Sequence, residues 1–483
     1  MKKELLVLCT IGILLFGSLL PSVSSTFIQE DLDPLIDLNL TVDIHAIRAL
    51  DTIDLFSKPD LYVELTVNGE EFKSPVWTNQ EYIYDAWTIT TDIPDNNEIV
   101  AITLELWDEN EGSDTRCDLS AQENTQDDGY AIVLWYNVKT GLWYGDDYQI
   151  GDGSGYGRVC GTDDGSIYDD ENDCELWFSL SQNDYDHDGL PYWIETQVYG
   201  TDPEMNNTGE DMDDDGCPIE WEHHWGFNPL LWEDHVTYDP DKDSITNVEE
   251  YLTEGFGSDP FRQDVFLELD YMEESPDGTS SVIPDESKEL LKNPFHRRNI
   301  VFHIDSGIVD GGDIIPFDDN VNLDEVREIY DTYFMNNDEE NWKRGVFHYG
   351  VFVYQCTPGG YGFSGDVSPY MGYMPGTNSF VISSEHIEKN DRWIPTKSLA
   401  YCYGSAIMHE MGHNFGRRWG DPFGCDAQLS KKPWQLMYWV YRNYKSIMNY
   451  RYTYKIFDYS DGSHGRRDSN DWEAIDLTYF EIP

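Results

Sequence analysis

The chain predicts a multidomain protein in three parts: an N-terminal β-sandwich, a small α-helical region of repeated acidic loops, and a C-terminal α/β domain. Three observations predict this. Short β-rich runs separated by Asp, Gly and Asn clusters occupy residues from about 40 to 180. Three twelve-residue loops rich in aspartate then follow at near-constant spacing. Beyond Phe261, apolar strand-like runs alternate with helical patterns and end in a helix with two histidines one turn apart. At 483 residues the chain is long enough for several separate cores.

The first 25 residues stand outside the fold. "MKKELLVLCTIGILLFGSLLPSVSS" has two lysines, an apolar run and then small polar residues. That is the layout of a secretory signal cleaved near Ser25. An uncleaved anchor is the alternative, because Leu5 to Leu20 falls only slightly short of a membrane span. Either way the remainder is expected outside the cell, secreted or at the cell surface. The net charge of −63 argues against a nucleic-acid partner, whose phosphates would be repelled. An aromatic content of 14% is not that of a disordered acidic chain, so the charge must coat folded domains or bind cations. Removing the leader removes Cys9 and leaves Cys117, Cys160, Cys174, Cys217, Cys356, Cys402 and Cys425. An exported chain predicts a few disulfides among these, with at least one thiol left over because the number is odd.

Residues 26–180 form the predicted sandwich. "DLYVELTV", "IVAITLELWDE", "YAIVLWYNV" and "CELWFSLS" are its strands, and their spacing is that of two packed antiparallel sheets. "KPDLYVEL" and "ITLELWDEN" resemble two strand–loop junctions of C2 domains. The resemblance implies calcium ligands at Asp60 and Asp108, with Asp54 and Asp114 as further positions, and contact with a membrane surface. Asn110 departs from the family, which more often has Asp there. A plain adhesive or packing sandwich is the other reading.

Residues 181–260 hold the repeat. "DYDHDGLPYWIE" (184–195), "DMDDDGCPIEWE" (211–222) and "DPDKDSITNVEE" (239–250) each place carboxylates at positions 1, 3 and 5 and a glutamate at position 12. The ligand sets are Asp184, Asp186, Asp188 and Glu195; Asp211, Asp213, Asp215 and Glu222; and Asp239, Asp241, Asp243 and Glu250. Short Asp side chains converging in a tight turn, closed by a longer Glu from the following helix, are what a hard cation such as Ca²⁺ requires. Position 6 is Gly in the first two loops and Ser244 in the third. The loops resemble EF-hand-like, dockerin or thrombospondin-type calcium repeats, punctuated by "YGTDP", "WGFNP" and "FGSDP". Extracellular loops of this kind bind calcium at about 10⁻⁴ to 10⁻³ M, which suits a constantly filled, stiffened spacer. His223 and His224 read as surface or packing residues.

Residues 261–483 read as the α/β domain. "DVFLELDYM", "NIVFHIDSG" and "GVFHYGVFVYQ" are buried strands, and "NLDEVREIYDTYFM" an amphipathic helix. "TNSFVISSE" reads as a further strand at a sheet edge. "TKSLAYCYGSAIMHEMGHNF" is a long helix beneath the sheet, with Thr396 as its N-cap and Gly416 near its end.

On that helix His409 and His413 lie on one face, about 6 Å apart along the axis. Two imidazoles so placed reach one Zn²⁺, and Glu410 beside them is the candidate general base. Gly416 extends the motif to HExxHxxG, and "YKSIMNY" (444–450) follows downstream. Here the chain resembles the metzincin clan of zinc metallopeptidases, in particular archaeal secreted metzincin-like proteins. The resemblance implies that Gly416 turns the chain toward the metal and that Met448 packs beneath it in a tight turn. It implies too that Tyr450, as in astacin-like and serralysin-like members, stabilises the oxyanion. The chain departs from the clan at the third ligand, where Trp419 stands in place of His or Asp and cannot bind zinc. Asp421 and Asp426 both follow closely, and carboxylate oxygen is an accepted zinc ligand. The Gly-hydrophobic-Asp tripeptide of the archaeal proteins matches Gly424, Cys425 and Asp426, and that resemblance implies Asp426 as the third ligand, with Asp421 the alternative. Glu473 in "DWEAID" would make a gluzincin-like site, against which Met448 argues; His464 reads as a loop residue.

The expectation is a secreted or surface-attached zinc endopeptidase acting on protein or peptide substrates, with Zn²⁺ catalytic and Ca²⁺ structural. The alternative is a calcium-dependent adhesion protein with an inactive peptidase domain. Cleavage preference and oligomeric state are left open by the sequence.

Overall fold

A computed structural model describes residues 32–121, 130–147, 155, 157–167, 171–309, 311–356, 360–363, 378–391, 397–418 and 420–478. The expected leader, Thr396 and Trp419 lie outside these residues. Among the described residues no helix is long and apolar enough to cross a membrane.

The N-terminal part is built from β1 (Asn39–Ala49), β2 (Leu61–Val67), β3 (Glu70–Lys73), β4 (Tyr82–Asp92), β5 (Ile99–Asp108), β6 (Thr115–Cys117), β7 (Ile132–Asn137), β8 (Leu142–Gly145), β9 (Arg158–Cys160) and β10 (Cys174–Gln182). One antiparallel sheet runs β4-β1-β10-β9, and the other runs β3-β2-β5-β7-β8 with β6 on the flank of β5. Alternate residues of β5 (Val100, Ile102, Leu104, Leu106) face inward and meet Val42, Ile44, Leu176 and Phe178 of the opposing sheet in one core. The period of two explains why these runs were legible as strands.

The repeat region carries α1 (Tyr192–Ile194), α2 (Ile219–Trp225) and α3 (Asn247–Leu252). Gly200, Gly226 and Gly257 close the three units in left-handed conformation, with φ of 77°, 78° and 85°. The recurring Gly in "YGTDP", "WGFNP" and "FGSDP" is therefore the stop signal of each helical turn. Trp221, Trp225, Phe227 and Phe261 form a small aromatic core. His223 bonds the Tyr199 hydroxyl and the Thr140 carbonyl, so it packs the repeats against the sandwich.

The C-terminal part carries β11 (Asp264–Met272), α4 (Asp285–His296), β12 (Val301–Asp305), β13 (Ile314–Ile315), α5 (Leu323–Ile329), β14 (Phe347–Val353), β15 (Gly360–Phe363), β16 (Ser379–Ser383), α6 (Ser384–Asp391), α7 (Leu399–Asn414), β17 (Phe423–Asp426) and α8 (Leu436–Val440). Its sheet has the order β12-β11-β14-β16-β15, with β13 beside β11. The strands are parallel except β15, which runs antiparallel to β16. α4 and α7 pack on one face with the C-terminal segment, and α5 covers the other.

Three expectations are corrected here. "FVISSE" is not the edge: all of β16 is buried between β14 and β15, as its Phe-Val-Ile run demands, and the short β15 takes the edge. α7 is capped by Ser398, whose hydroxyl accepts from Tyr401 N at 3.1 Å. The expected disulfides are not formed. All seven cysteines of the described residues are buried and none is in a disulfide. Cys117 and Cys174 lie against each other in the sandwich, Cys217 sits in the repeats, and Cys356 lies apart from Cys402 and Cys425 in the α/β domain. Cores of this size do not depend on covalent staples.

The sandwich is keyed to the α/β domain by a buried ionic group. Arg158, on β9, donates to Glu175 at 3.1 Å, Asp163 at 3.0 Å and Asn299 at 2.8 Å, while His296 of α4 meets the same Glu175 at 2.9 Å. Arg48 and Glu289 add a second pair at 2.6 Å.

Candidate metal centres

α7 begins the first centre. Its sixteen residues put His409 and His413 on one face with their rings 5.2 Å apart and nearly perpendicular. Each ring is oriented by a main-chain carbonyl: His409 Nδ1 lies 2.9 Å from Ile447 O, and His413 Nδ1 lies 2.5 Å from Arg417 O. With both Nδ1–H groups donating there, both Nε2 lone pairs point to the same place. Gly416, with φ of 89°, lets the chain leave the helix. It then returns through β17, where Gly424 at φ 117° and Asp426 at φ 53° both adopt left-handed conformations. Asp426 Oδ1 is 3.0 Å from His409 Nε2, and its Oδ2 is 3.1 Å from His413 Nε2. Ligand atoms on a tetrahedral ion with ~2.1 Å bonds stand about 3.4 Å apart, so this trio fits zinc with shifts of a few tenths of an ångström.

Of the two aspartates considered for the third position, the structure brings Asp426 to the histidines. Asp421 is instead exposed in a turn, exchanging main-chain hydrogen bonds with Arg418. A position three residues after Gly416 was only one way to reach the two histidines, and Asp426 reaches them by a longer loop. Glu473 lies in an exposed turn beside Asn470. Burial pushes the Asp426 carboxyl up, but the two imidazoles outweigh it and hold it well below the usual carboxylate range. Burial opposes protonation of His413, yet Asp426 lifts it to about 9.

Three further residues complete the surroundings. The Glu410 carboxyl is raised by burial, with both imidazoles opposing. A Cβ built on Gly360 of the edge strand would stand 3.3 Å from Glu410 Oε1, which places β15 against this carboxylate. Tyr450 stacks on His409 with ring centroids 5.5 Å apart. Met448 is fully buried beneath α7, and its carbonyl accepts from Asp426 N at 3.0 Å.

The acidic loops form the second group of centres. The fourth residue of each loop (His187, Asp214, Lys242) is left-handed, as is the sixth, where Ser244 adopts a φ of 79° without being glycine. Asp184, Asp186 and Asp188 bring carboxylate oxygens within 4.8 Å of one another. Both oxygens of Asp186, Asp213, Glu222 and Glu250 are buried and lack hydrogen-bond partners. Orphaned buried carboxylates at positions 3 and 12 are intolerable as bare charges and fit a cation. Burial, then neighbouring aspartates, push Glu195 up to about 8, and burial pushes Glu222 up to about 7.

Sequence reasoning missed a further residue at each loop. The position-5 carboxylate accepts a main-chain N–H from farther along the chain: Asn207 to Asp188, Glu233 to Asp215 and Asp264 to Asp243. The separations of 19, 18 and 21 residues were the available signal. In the sandwich, Asp60, Asp108 and Asp114 are already engaged. Asp108 accepts from Asp60 N and Asn110 Nδ2, Asp60 from Asn79 N, and Asp114 from Tyr62 and Asn110 N. Asp54 accepts from Ser57.

No family model and no characterised protein sequence matches the chain. Among solved structures, a C2 domain of a plant Extended Synaptotagmin 1 is 13% identical over 17% of this chain and 65% of that one, with a TM-score of 0.16. A human GIVD cytosolic phospholipase A2 is 17% identical over 30% of this chain and 16% of that one, with a TM-score of 0.19. A calcium-bound pair of C2 domains from Extended-Synaptotagmin 2 gives 14%, 31%, 46% and 0.20 in the same order. The chain thus spans less than two thirds of each. Scores this low carry no argument, and the sandwich rests on its own two sheets.

Proposed function

We propose that the protein is a secreted or cell-surface zinc-dependent endopeptidase of metzincin type, with accessory domains stabilised by calcium. The observation that carries the reading is the convergence of two carbonyl-oriented imidazoles and Asp426 on one point beside Glu410. His409, His413 and Asp426 hold the ion. A zinc ion held there would supply Lewis acidity for activating water near neutral pH and for polarising a peptide carbonyl. Glu410 takes the proton from the attacking water and passes it to the leaving amine. Tyr450 sits against His409, where its hydroxyl serves the developing oxyanion. β15 leaves one side unpaired among the described strands, so an extended peptide adds there as a further strand beside Glu410.

A second reading has one observation in its favour. Trp419 stands where the clan places a ligand, as in a calcium-dependent adhesion protein with an inactive peptidase domain. Leu55 and Phe56, 85% and 100% exposed next to Asp54, favour contact of the sandwich with a membrane surface under either reading.

Zinc content together with casein hydrolysis separates the two. Purified protein is expected to hold one zinc per chain and cleave casein, and Glu410→Gln to keep the zinc and lose cleavage. Zinc retained without hydrolysis of casein, gelatin or a diverse peptide library would favour the adhesion reading.

A further inference from the structure

The three acidic loops share their first four carboxylate positions but not the group that closes them. Near the first loop stands the amide of Asn207, whose Oδ1 is buried without a partner. Near the third stands Asp264, whose main-chain N–H donates to Asp243 and whose carboxylate is a charged neighbour of Asp243 and Glu250. At the second loop the group is an imidazole. His235 is fully buried, and its Nε2 lies 3.3 Å from Asp215 Oδ2 and 3.7 Å from Glu222 Oε1 with no hydrogen bond of its own. Glu222 is itself fully buried with both oxygens unpartnered, as are both oxygens of Asp213. Cys217 Sγ belongs to the same group, within 4.8 Å of Asp215 and His235.

The other ring nitrogen decides what Nε2 is for. His235 Nδ1 lies 2.7 Å from the side-chain amide of Asn247, the first residue of α3. The amide oxygen of Asn247 is buried and unpartnered. Turning that amide over satisfies the oxygen with a proton on Nδ1, and amide orientation is fixed by just such a network. Nε2 is then left unprotonated with its lone pair directed at Asp215 and Glu222. An outer hydrogen bond that sets the tautomer of an inward-facing imidazole is the usual arrangement around a metal-bound histidine.

We propose that the second loop is a mixed nitrogen–oxygen site in which His235 Nε2 joins Asp211, Asp213, Asp215 and Glu222, and that it selects a first-row transition divalent cation over calcium. Calcium prefers oxygen throughout its shell, whereas imidazole suits the transition ions and carboxylates suit manganese as well as calcium. The first and third loops, which bring no buried imidazole to their carboxylates, keep calcium. The inference rests on the reading of the loops as cation sites, and only the second loop departs from it in ion type.

The test uses crystals of the full chain equilibrated with Mn²⁺ in excess Ca²⁺, with manganese located by anomalous scattering. The expected result is manganese bonded to His235 in the second loop and calcium in the first and third. Calcium in the second loop with His235 turned away, or manganese distributed evenly over all three, overturns the proposal. Calcium missing from the first and third loops while the second holds manganese would instead overturn the calcium reading alone. In solution, His235→Gln keeps an oxygen in reach. It is expected to weaken Mn²⁺ binding by about tenfold or more and leave Ca²⁺ binding within about twofold. Equal losses for both ions, with melting behaviour preserved in calcium, would mean a packing role and refute the assignment.

Discussion

Replacing Gly412 by alanine tests the methionine beneath the metal helix. An alanine Cβ at this position would stand 2.3 Å from Met448 Sδ, 3.0 Å from Met448 Cε and 3.0 Å from Tyr459 Cε1. Ordinary carbon contacts are about 3.5–4.0 Å, so the thioether has to retreat by more than about 1 Å. It has little room, because Met448 is fully buried and Tyr459 is pinned by its hydroxyl bond to Met408 O at 2.5 Å. Overpacking of this kind costs about 1–3 kcal/mol, and the severity of the contact favours the upper end. Helix propensity returns about 1 kcal/mol, because alanine replaces glycine inside a helix. The net expectation is a loss of about 2 kcal/mol, or about 4–8 °C in the melting transition of a domain this size. The displacement also reaches the metal, because the Met448 carbonyl holds Asp426 N. Zinc affinity should fall about 10- to 100-fold, the usual effect of disturbing a supporting shell. Calorimetry in zinc and a chelator-competition titration measure the two effects. Gly345→Ala is the control, since no atom lies within 4 Å of its added Cβ, and it should stabilise by about 0.4–1 kcal/mol. If Gly412→Ala raises the transition and leaves zinc affinity unchanged, Met448 does not support the site in the way described.

Asp426→Ala should abolish stoichiometric zinc while Asp421→Ala retains it; the reverse pattern in metal analysis would move the third ligand to the exposed turn. Arg158→Ala leaves buried Glu175 still bonded to His296 and should cost about 3 kcal/mol, the lower end for a broken buried pair, with the sandwich melting separately from the α/β domain; an unchanged single transition would count against the ionic group as the interdomain key. Chelating the divalent cations should destabilise the repeats more at about pH 8 than at about pH 5, because the carboxyls of Glu195 and Glu222 are raised to about 8 and about 7 in the bare loops. Groups raised in the folded state keep their contribution below the unfolded carboxylate pKa and lose it as pH climbs to the folded value. Bound cations remove that loss, so a chelator effect independent of pH, followed by protease sensitivity of residues 184–250, would refute the assignment.

The chemistry of α7 was legible because two imidazoles and a carboxylate at fixed helical spacing need nothing beyond the helix to meet. The third residue at the site was reached only by resemblance, through the tripeptide that ends in Asp426. Asp426 lies 17 residues beyond His409, and its arrival depends on Gly424, on its own left-handed backbone and on β17, none of which has a periodic signature. The strands of the sandwich announced themselves by alternation, whereas α4 did not. Its sequence is mostly polar and includes Pro294, yet Leu291 and Phe295 are fully buried against α7. β15 was invisible because Gly360 to Phe363 is too short and glycine-rich to read as a strand, and the edge was assigned to its buried neighbour instead. The disulfide expectation failed because it used compartment alone: apart from the neighbouring Cys117 and Cys174, these sulfurs are dispersed over several cores that each hold together by packing.

The loops also do more than stiffen a spacer, which is all their sequence implied. Asp264 closes the third loop by donating its N–H to Asp243 Oδ2 at 2.7 Å, and it is the first residue of β11, a central strand of the α/β sheet. Its Oδ1 meets His303 Nε2 of β12 at 2.7 Å. Two residues earlier, Arg262 lies over the Trp177 ring of the sandwich at 4.3 Å. A cation that neutralises Asp241, Asp243 and Glu250, all raised by burial and by one another, therefore settles the point where sandwich, repeats and sheet meet. Because β11 pairs with β14, and β14 with β16, which lies beside the strand that meets Glu410, hydrogen-bonded strands connect that loop to the proposed zinc site. Calcium dependence of the peptidase reaction would then follow from the register of one strand, without any calcium near the reacting atoms.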